Sequence, residues 1–144
     1  MAETTNEIVD LDGVAQRAVS LADIGSAAIF VARPDSSELE LGGVAGIAGP
    51  ALDGLRAAVR NPDHPIRRTM LDDGPTFDVR PMNPGGPALR SHLPLFAIVG
   101  GRRTAVGVLA VAHDLPLDPA TRDALEEIAV SAAPLANAAG DVNP

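Results

Sequence analysis

One stretch constrains this chain more than any other: Arg90–His113, RSHLPLFAIVGGRRTAVGVLAVAH. Two apolar runs, Leu93–Val99 and Thr104–Ala112, flank the tetrad Gly100-Gly101-Arg102-Arg103. Val, Leu and Ile fill both runs, and the glycine pair with its arginines supplies turn chemistry. The stretch therefore predicts a β-hairpin at the centre of a sheet. Neither run alternates apolar with polar residues. A strand apolar on both sides is covered on both faces, or covers a ligand cavity with one of them.

The rest of the chain supplies those covers. Met1–Thr5 reads as a frayed tail. From Asn6, the residues Ile8, Leu11, Val14/Ala15, Ala18 and Leu21/Ala22 recur at helical spacing, which predicts a helix to about Asp23, ended by Gly25. Gly13 inside it costs roughly 1 kcal/mol relative to Ala. Ala27–Ala32 reads as a buried strand, Arg33–Ser37 as a turn, and Glu38–Ile47 as a second strand with one wetter face. Gly49-Pro50 breaks the chain. A helix over Ala51–Arg60 follows, and a short helix opens at Pro65 with Ile66, Met70 and Leu71 on one face. Thr76–Val79 is a short strand. Arg80–Leu89 holds three prolines and two glycines and reads as a loop that covers a site or stays mobile. Pro119–Ala139 is the last helix, N-capped by Asp118, with Leu125, Ile128, Ala129, Ala132 and Leu135 as its apolar stripe. Pro134 is expected to end or kink it. The order predicts a single α+β domain over 1–144 with its core at about 8–139. About five or six antiparallel strands carry the two terminal helices on one face and short helices and loops on the other.

Composition removes several function classes. The chain has 144 residues and a formal charge of −8, so it repels phosphate backbones and is not expected to bind nucleic acid. Aromatic residues make up 2%, all Phe, which leaves no platform for stacking bases. There is no Lys, which excludes Schiff-base chemistry and the P-loop lysine. There is no Cys, which excludes disulfides, thiolate nucleophiles, zinc–thiolate sites and iron–sulfur clusters. No apolar run is long enough to span a bilayer, and MAETTNEIVDLDG lacks a signal-peptide core. A cytoplasmic protein without membrane contact is the expectation.

Seven residues are candidates for binding a ligand: His64, Arg67, Arg68, Asp78, Arg80, His92 and His113. If Val99 pairs with Thr104 across the hairpin, Arg90 lies opposite His113 and His92 opposite Val111. The two histidines then share a face as diagonal neighbours, roughly 7–8 Å apart at Cα. A pair so placed suits an anion or a metal ion, whereas a one-residue slip separates them. Arg67 and Arg68 follow the helix start at Pro65, where guanidinium groups suit a carboxylate or phosphate. The plainer reading pairs them with Asp72 and Asp73. His64 reads equally as a cap, and Asp78 with Arg80 as a surface ion pair. Ser91 and His92 are adjacent on a strand, point to opposite faces and cannot form a nucleophile–base pair. No G-x-S-x-G, H-E-x-x-H or G-x-G-x-x-G occurs, and Gly42-Gly43-Val44-Ala45-Gly46 does not lead straight into a helix as a phosphate cradle would. The residues specify no catalytic set, no metal set and no cofactor.

Three segments resemble GAF domains. His64-Pro65-Ile66-Arg67-Arg68 with Asp72-Asp73-Gly74-Pro75 is similar to their short helix and following strand. Ser91-His92-Leu93-Pro94-Leu95 resembles the fourth-strand pattern S-x-L-x-x-P-L with one residue fewer before the proline. Val106-Gly107-Val108-Leu109-Ala110-Val111 is similar to the fifth-strand G-V-L-A-L. The resemblance spans about Ile8 to Ala139. It implies a sensory or regulatory module whose terminal helices serve dimerisation and whose opposite face holds a small-molecule pocket. The specialised subtypes do not fit. The bilin-attaching Cys and the cysteines of free methionine sulfoxide reductases are missing. So is the Asn-Lys-Phe-Asp-Glu signature of cyclic-nucleotide binders, and Arg80–Leu89 has no His for haem. The expected function is a GAF-like module that binds a small molecule or a signalling protein in trans and signals as a homodimer. In that dimer the terminal helices bury small Ala and Val side chains against each other. The alternatives are a roadblock- or profilin-like scaffold with no ligand, and a small enzyme using His92 and His113.

Overall fold

A computed structural model describes residues 10–21, 24–32, 38–47, 49–72, 74–80 and 89–142. The element order is α1 (Leu11–Val19), β1 (Ile24–Ala32), β2 (Leu39–Ala45), α2 (Gly49–Ala58), α3 (Pro65–Thr69), β3 (Thr76–Val79), β4 (Leu89–Val99), β5 (Arg102–His113) and α4 (Pro119–Val142). The expected tail at Met1–Thr5, the start of the first helix at Asn6–Val9, the turn Arg33–Ser37, Asp73, and all but the ends of the loop Arg80–Leu89 lie outside the described residues.

The expected hairpin is the middle of the sheet. Five antiparallel strands run in the order β2-β1-β5-β4-β3. Its turn is tighter than the tetrad suggested: only Gly100 and Gly101 lie outside the strands, with φ of 60° and 80°. Positive φ at both central residues is the two-residue turn that matches strand twist, and glycine adopts it without strain. Val99 therefore pairs with Arg102, not Thr104. Further along, Leu95 faces Gly107 while Phe96 faces Ala105, so Val106 is a bulge residue. The two shifts place Leu89 opposite His113, Ser91 opposite Val111 and His92 opposite Ala110.

The layers follow the expected plan. On one face α1 and α4 cover the sheet, and Leu11, Val14, Leu93, Leu95, Leu109 and Leu125 share a large core with them. Burying each such side chain contributes about 1.5–3 kcal/mol. On the other face α2 and α3 sit over a smaller core of Phe30, Leu39, Val59, Ile66 and Val108. No helix among the described residues is long and apolar enough to cross a membrane.

Several local details differ from expectation. Helix α1 begins at Leu11 because Asp10, in extended conformation, accepts a hydrogen bond from the Gly13 N–H. It ends at Val19, and Gly25 belongs to β1. Gly49 and Pro50 open α2 instead of breaking the chain, as a first-turn proline can. Leu71 does not join Ile66 on a buried face; α3 stops at Thr69 and Leu71 is 85% exposed. Pro134 does not end α4, which continues to Val142 with Pro134 on its exposed side. The glycines of β2 serve packing: a Cβ on Gly43 would lie 2.4 Å from the carbonyl carbon and oxygen of Leu11. The small side chains expected at a dimer face are already used. Ala15, Ala18, Ala132 and Ala136 are buried inside the molecule's own core.

Candidate functional site

The sheet face beneath α2 and α3 changes size along its strands. At one end Phe30 and Val108 fill the space under the helices. At the other end, the same face of β1 and β5 carries Ser26, Ala28, Ala110 and Ala112. Short side chains there leave a cavity of about 470 Å³ that Leu55 of α2 and Ile66 of α3 also line. That is within the range of small-molecule sites.

Strand β4 supplies the polar groups. His92 sits across from Ala110, which sits across from Ala28, and Arg90 across from Ala112, which sits across from Ser26. Cross-strand partners share a face, so Arg90 and His92 both line the cavity over small residues. His64, at the start of α3, closes the third side. Its Nδ1 accepts the Ile66 N–H at 3.2 Å and caps the helix, so a neutral ring carries its proton on Nε2.

Two nitrogens here have no partner. His92 is 4% exposed and its Nε2 is buried without a hydrogen bond, as is Arg90 Nε. Such groups are uncommon in folded proteins, because each forfeits its hydration for nothing. Burial, and then the charges of His64 and Arg90, pushes the His92 pKa down to about 4. Burial and then Arg90 also lower that of His64. Near neutral pH both rings are uncharged and Arg90 carries the cavity's one fixed charge.

The other expected site residues lie elsewhere. His113 and His92 do not share a face, because the bulge at Val106 adds the one-residue slip that the shared-face reading could not survive. His113 faces the terminal helices, beside Ser91. Its Nδ1 is 2.8 Å from the Leu115 carbonyl, which only accepts, so the neutral ring accepts the Ser91 hydroxyl proton on Nε2 at 2.8 Å. Ser91 is 0% exposed, so this serine–histidine pair has no access to a substrate. Asp78 does not pair with Arg80. Its N–H donates to Ser91 Oγ at 3.1 Å, and its carboxylate accepts from the Leu117 N–H at 3.0 Å and from Arg122 of α4 at 2.6 Å. Partial burial raises the Asp78 pKa, but the Leu117 and Arg122 bonds outweigh it and hold it below the ordinary carboxylate value. Asp78 also adopts φ of 61°, where β3 bulges against β4.

Arg67 donates to the Val59 and Arg60 carbonyls at the end of α2 and lines a second cavity of about 480 Å³ with Glu38, Glu40, Arg56 and Arg60. Charges of both signs line that space. Arg68 and Arg80 are exposed and line neither cavity. The structure thus brings together His64 and His92 from the expected set and adds Arg90. That arginine had a sequence signal: it lies two residues before His92 on a strand, hence on the same face. Among the described residues no cluster of three or more His, Asp or Glu could hold a metal ion.

No family model matches the chain. No curated protein matches it either. Solved structures do. The GAF domain of a phosphoenolpyruvate-protein phosphotransferase (ptsP) from Coxiella burnetii superposes with a TM-score of 0.70 at 16% identity, covering 92% of this chain and 84% of that one. The second GAF domain of DevS from Mycobacterium smegmatis superposes with a TM-score of 0.63 at 21% identity, covering 90% and 92%. A type II free methionine-R-sulfoxide reductase from Thermoplasma acidophilum superposes with a TM-score of 0.64 at 14% identity, covering 89% and 90%. With its five-stranded antiparallel sheet, terminal helices on one face and a helix-roofed cavity on the other, this chain has the fold of a GAF domain.

Proposed function

We propose that the chain is a regulatory module of the GAF type that holds a small molecule between its sheet and α2–α3 and reports occupancy to another protein or to a second copy. One observation carries this reading: His92 and Arg90 line a cavity, and each keeps a side-chain nitrogen buried without a hydrogen bond among the described residues. A polar group kept unsatisfied in a core destabilises the fold, and a ligand that satisfies it recovers that loss. A pocketless scaffold gives no reason to keep it. Binding, not turnover, is the role we assign. The cavity's polar groups are two neutral imidazoles, a guanidinium and the Ser26 hydroxyl, no acid among the described residues lines it to complete a catalytic set, and the chain has no Cys for thiol chemistry. Its Cys-free composition suits the cytoplasm, where we place it.

Native mass spectrometry of protein purified from its own cells tests the reading. The expected result is a bound small mass in the wild type that is lost in Ala110→Leu, which fills the cavity floor. No bound mass, together with no metabolite that raises the melting temperature, would leave the scaffold reading in its place. Self-association belongs to the same proposal and falls to the outward surfaces of α1 and α4, since Ala15, Ala18, Ala132 and Ala136 face inward. Sedimentation over a range of concentrations reports it, and a monomer throughout would remove that part.

A further inference from the structure

We propose that the cavity takes a small carboxylic acid with an aliphatic body, its carboxylate paired with Arg90 and hydrogen-bonded by His92. The inference rests on the pocket reading above and names the ligand's chemistry.

Charge is the first argument. The chain has 19 acidic and 11 basic side chains, yet no Asp or Glu among the described residues lines this cavity. The Arg90 side chain makes no hydrogen bond or ion pair among the described residues, and its Nε is buried. A half-buried guanidinium without a counter-charge calls for an anion. The amount of charge is the second argument. With His64 and His92 neutral, the cavity offers one positive charge. A carboxylate balances it and matches the planar fork of Arg, whereas a phosphate dianion leaves a second negative charge without a partner. In its Nε2-protonated tautomer the neutral His92 would donate to one carboxylate oxygen.

The remaining wall sets the body of the ligand. Ala28, Ile47, Leu55, Ile66 and Ala110 are aliphatic, and Ser26 adds one hydroxyl. Among the described residues no aromatic side chain lines the cavity to stack a base or a flavin, and few polar groups are present to hold a sugar. An amino acid is disfavoured as well, because its ammonium group would enter a wall that has a cation and no acid.

Four probes that share one branched body separate these possibilities: 4-methylpentanoate, leucine, 4-methylpentan-1-ol and 4-methylpentyl phosphate. Binding is measured by calorimetry and melting temperature at pH 7 and constant ionic strength. The wild type is compared with Arg90→Gln, Arg90→Lys and Ala110→Leu, with circular dichroism as the check on folding. We expect 4-methylpentanoate to bind at least about tenfold more tightly than the other three, since it alone supplies a charge-assisted pair at matched charge. Arg90→Gln should weaken it at least about tenfold, Arg90→Lys by less, and Ala110→Leu should abolish it. Tighter binding of the phosphate, the alcohol or leucine overturns the proposal while leaving a ligand pocket. Equal binding to Arg90→Gln or to Ala110→Leu overturns it too, since the acid then sits elsewhere. Absence of binding by all four overturns it outright, and the native mass spectrum then decides the pocket reading separately.

Discussion

At the scale of the residue, His92 carries the most physical information. Its ring is nearly inaccessible, its Nε2 is unpaired, and its pKa of about 4 lies well below the ordinary 6.5. As pH falls through that interval, the unfolded chain takes up a proton that the folded chain refuses. Stability therefore declines from about pH 6.5 to pH 4, by roughly 3 kcal/mol from this residue, and levels off below, where both states are protonated. His64 contributes in the same direction. His92→Leu should remove most of that decline. It should also raise stability by about 1–2 kcal/mol at neutral pH, because it deletes a stranded nitrogen from an apolar site. Urea titrations at several pH values measure both effects. An equally steep decline in His92→Leu would assign the proton uptake to other groups. A binding residue whose loss stabilises the empty protein is what a site held ready for a ligand predicts.

At the scale of the element, two glycines separate close packing from free space. In Gly43 of β2 the missing Cβ admits the backbone of α1 at Leu11, and the Asp12 carboxylate then accepts the Val44 N–H at 2.9 Å. Gly43→Ala should destabilise by about 1–3 kcal/mol, because main chain and not a flexible side chain must move. Gly54 in α2 meets nothing within 4 Å of an added Cβ, so Gly54→Ala should stabilise by up to about 1 kcal/mol through helix propensity alone. Thermal melts of the two variants should shift in opposite directions. The glycine-rich run Gly42–Gly46 was legible as something other than a phosphate loop. Its real use, as a seat for a helix thirty residues earlier, depends on contact at a distance that local pattern does not encode.

At the scale of the molecule, β4 joins the two faces. Arg90 and His92 look into the cavity, and Ser91 between them looks toward the terminal helices. Ser91 bonds His113 and the Asp78 N–H, and Asp78 in turn holds Leu117 and Arg122 at the start of α4. Displacement of β4 by a ligand thus has a hydrogen-bonded route to α4. Asp78→Asn keeps a residue that tolerates positive φ but removes the charge that Arg122 pairs with. It should cost about 1–2 kcal/mol, the lower end applying because Arg122 is partly solvated. Hydrogen exchange should speed up over residues 117–125 and stay unchanged in α2 and α3. Uniformly faster exchange would mean that the network holds the whole sheet and not α4 in particular. The Asp78 carboxyl is depressed below its ordinary value. Its contribution is therefore present at neutral pH and is lost as pH falls through the folded-state pKa, below the window in which His92 acts.

The sequence by itself determined the layers. Apolar runs, their lengths and the Gly-Gly turn dictate where strands and helices form, and a hairpin apolar on both sides demands cover on both faces. It also located His64 and His92 as residues of interest and excluded thiol and lysine chemistry, since absent side chains cannot act. Only the tertiary structure decided which residues meet. Strand periodicity is two, so the single bulge residue Val106 was enough to send His113 to the face opposite His92, whereas the tighter turn moves the register by two residues and leaves the faces unchanged. The cavity likewise belongs to no single segment: it lies where alanines from two strands sit side by side beneath α2 and α3.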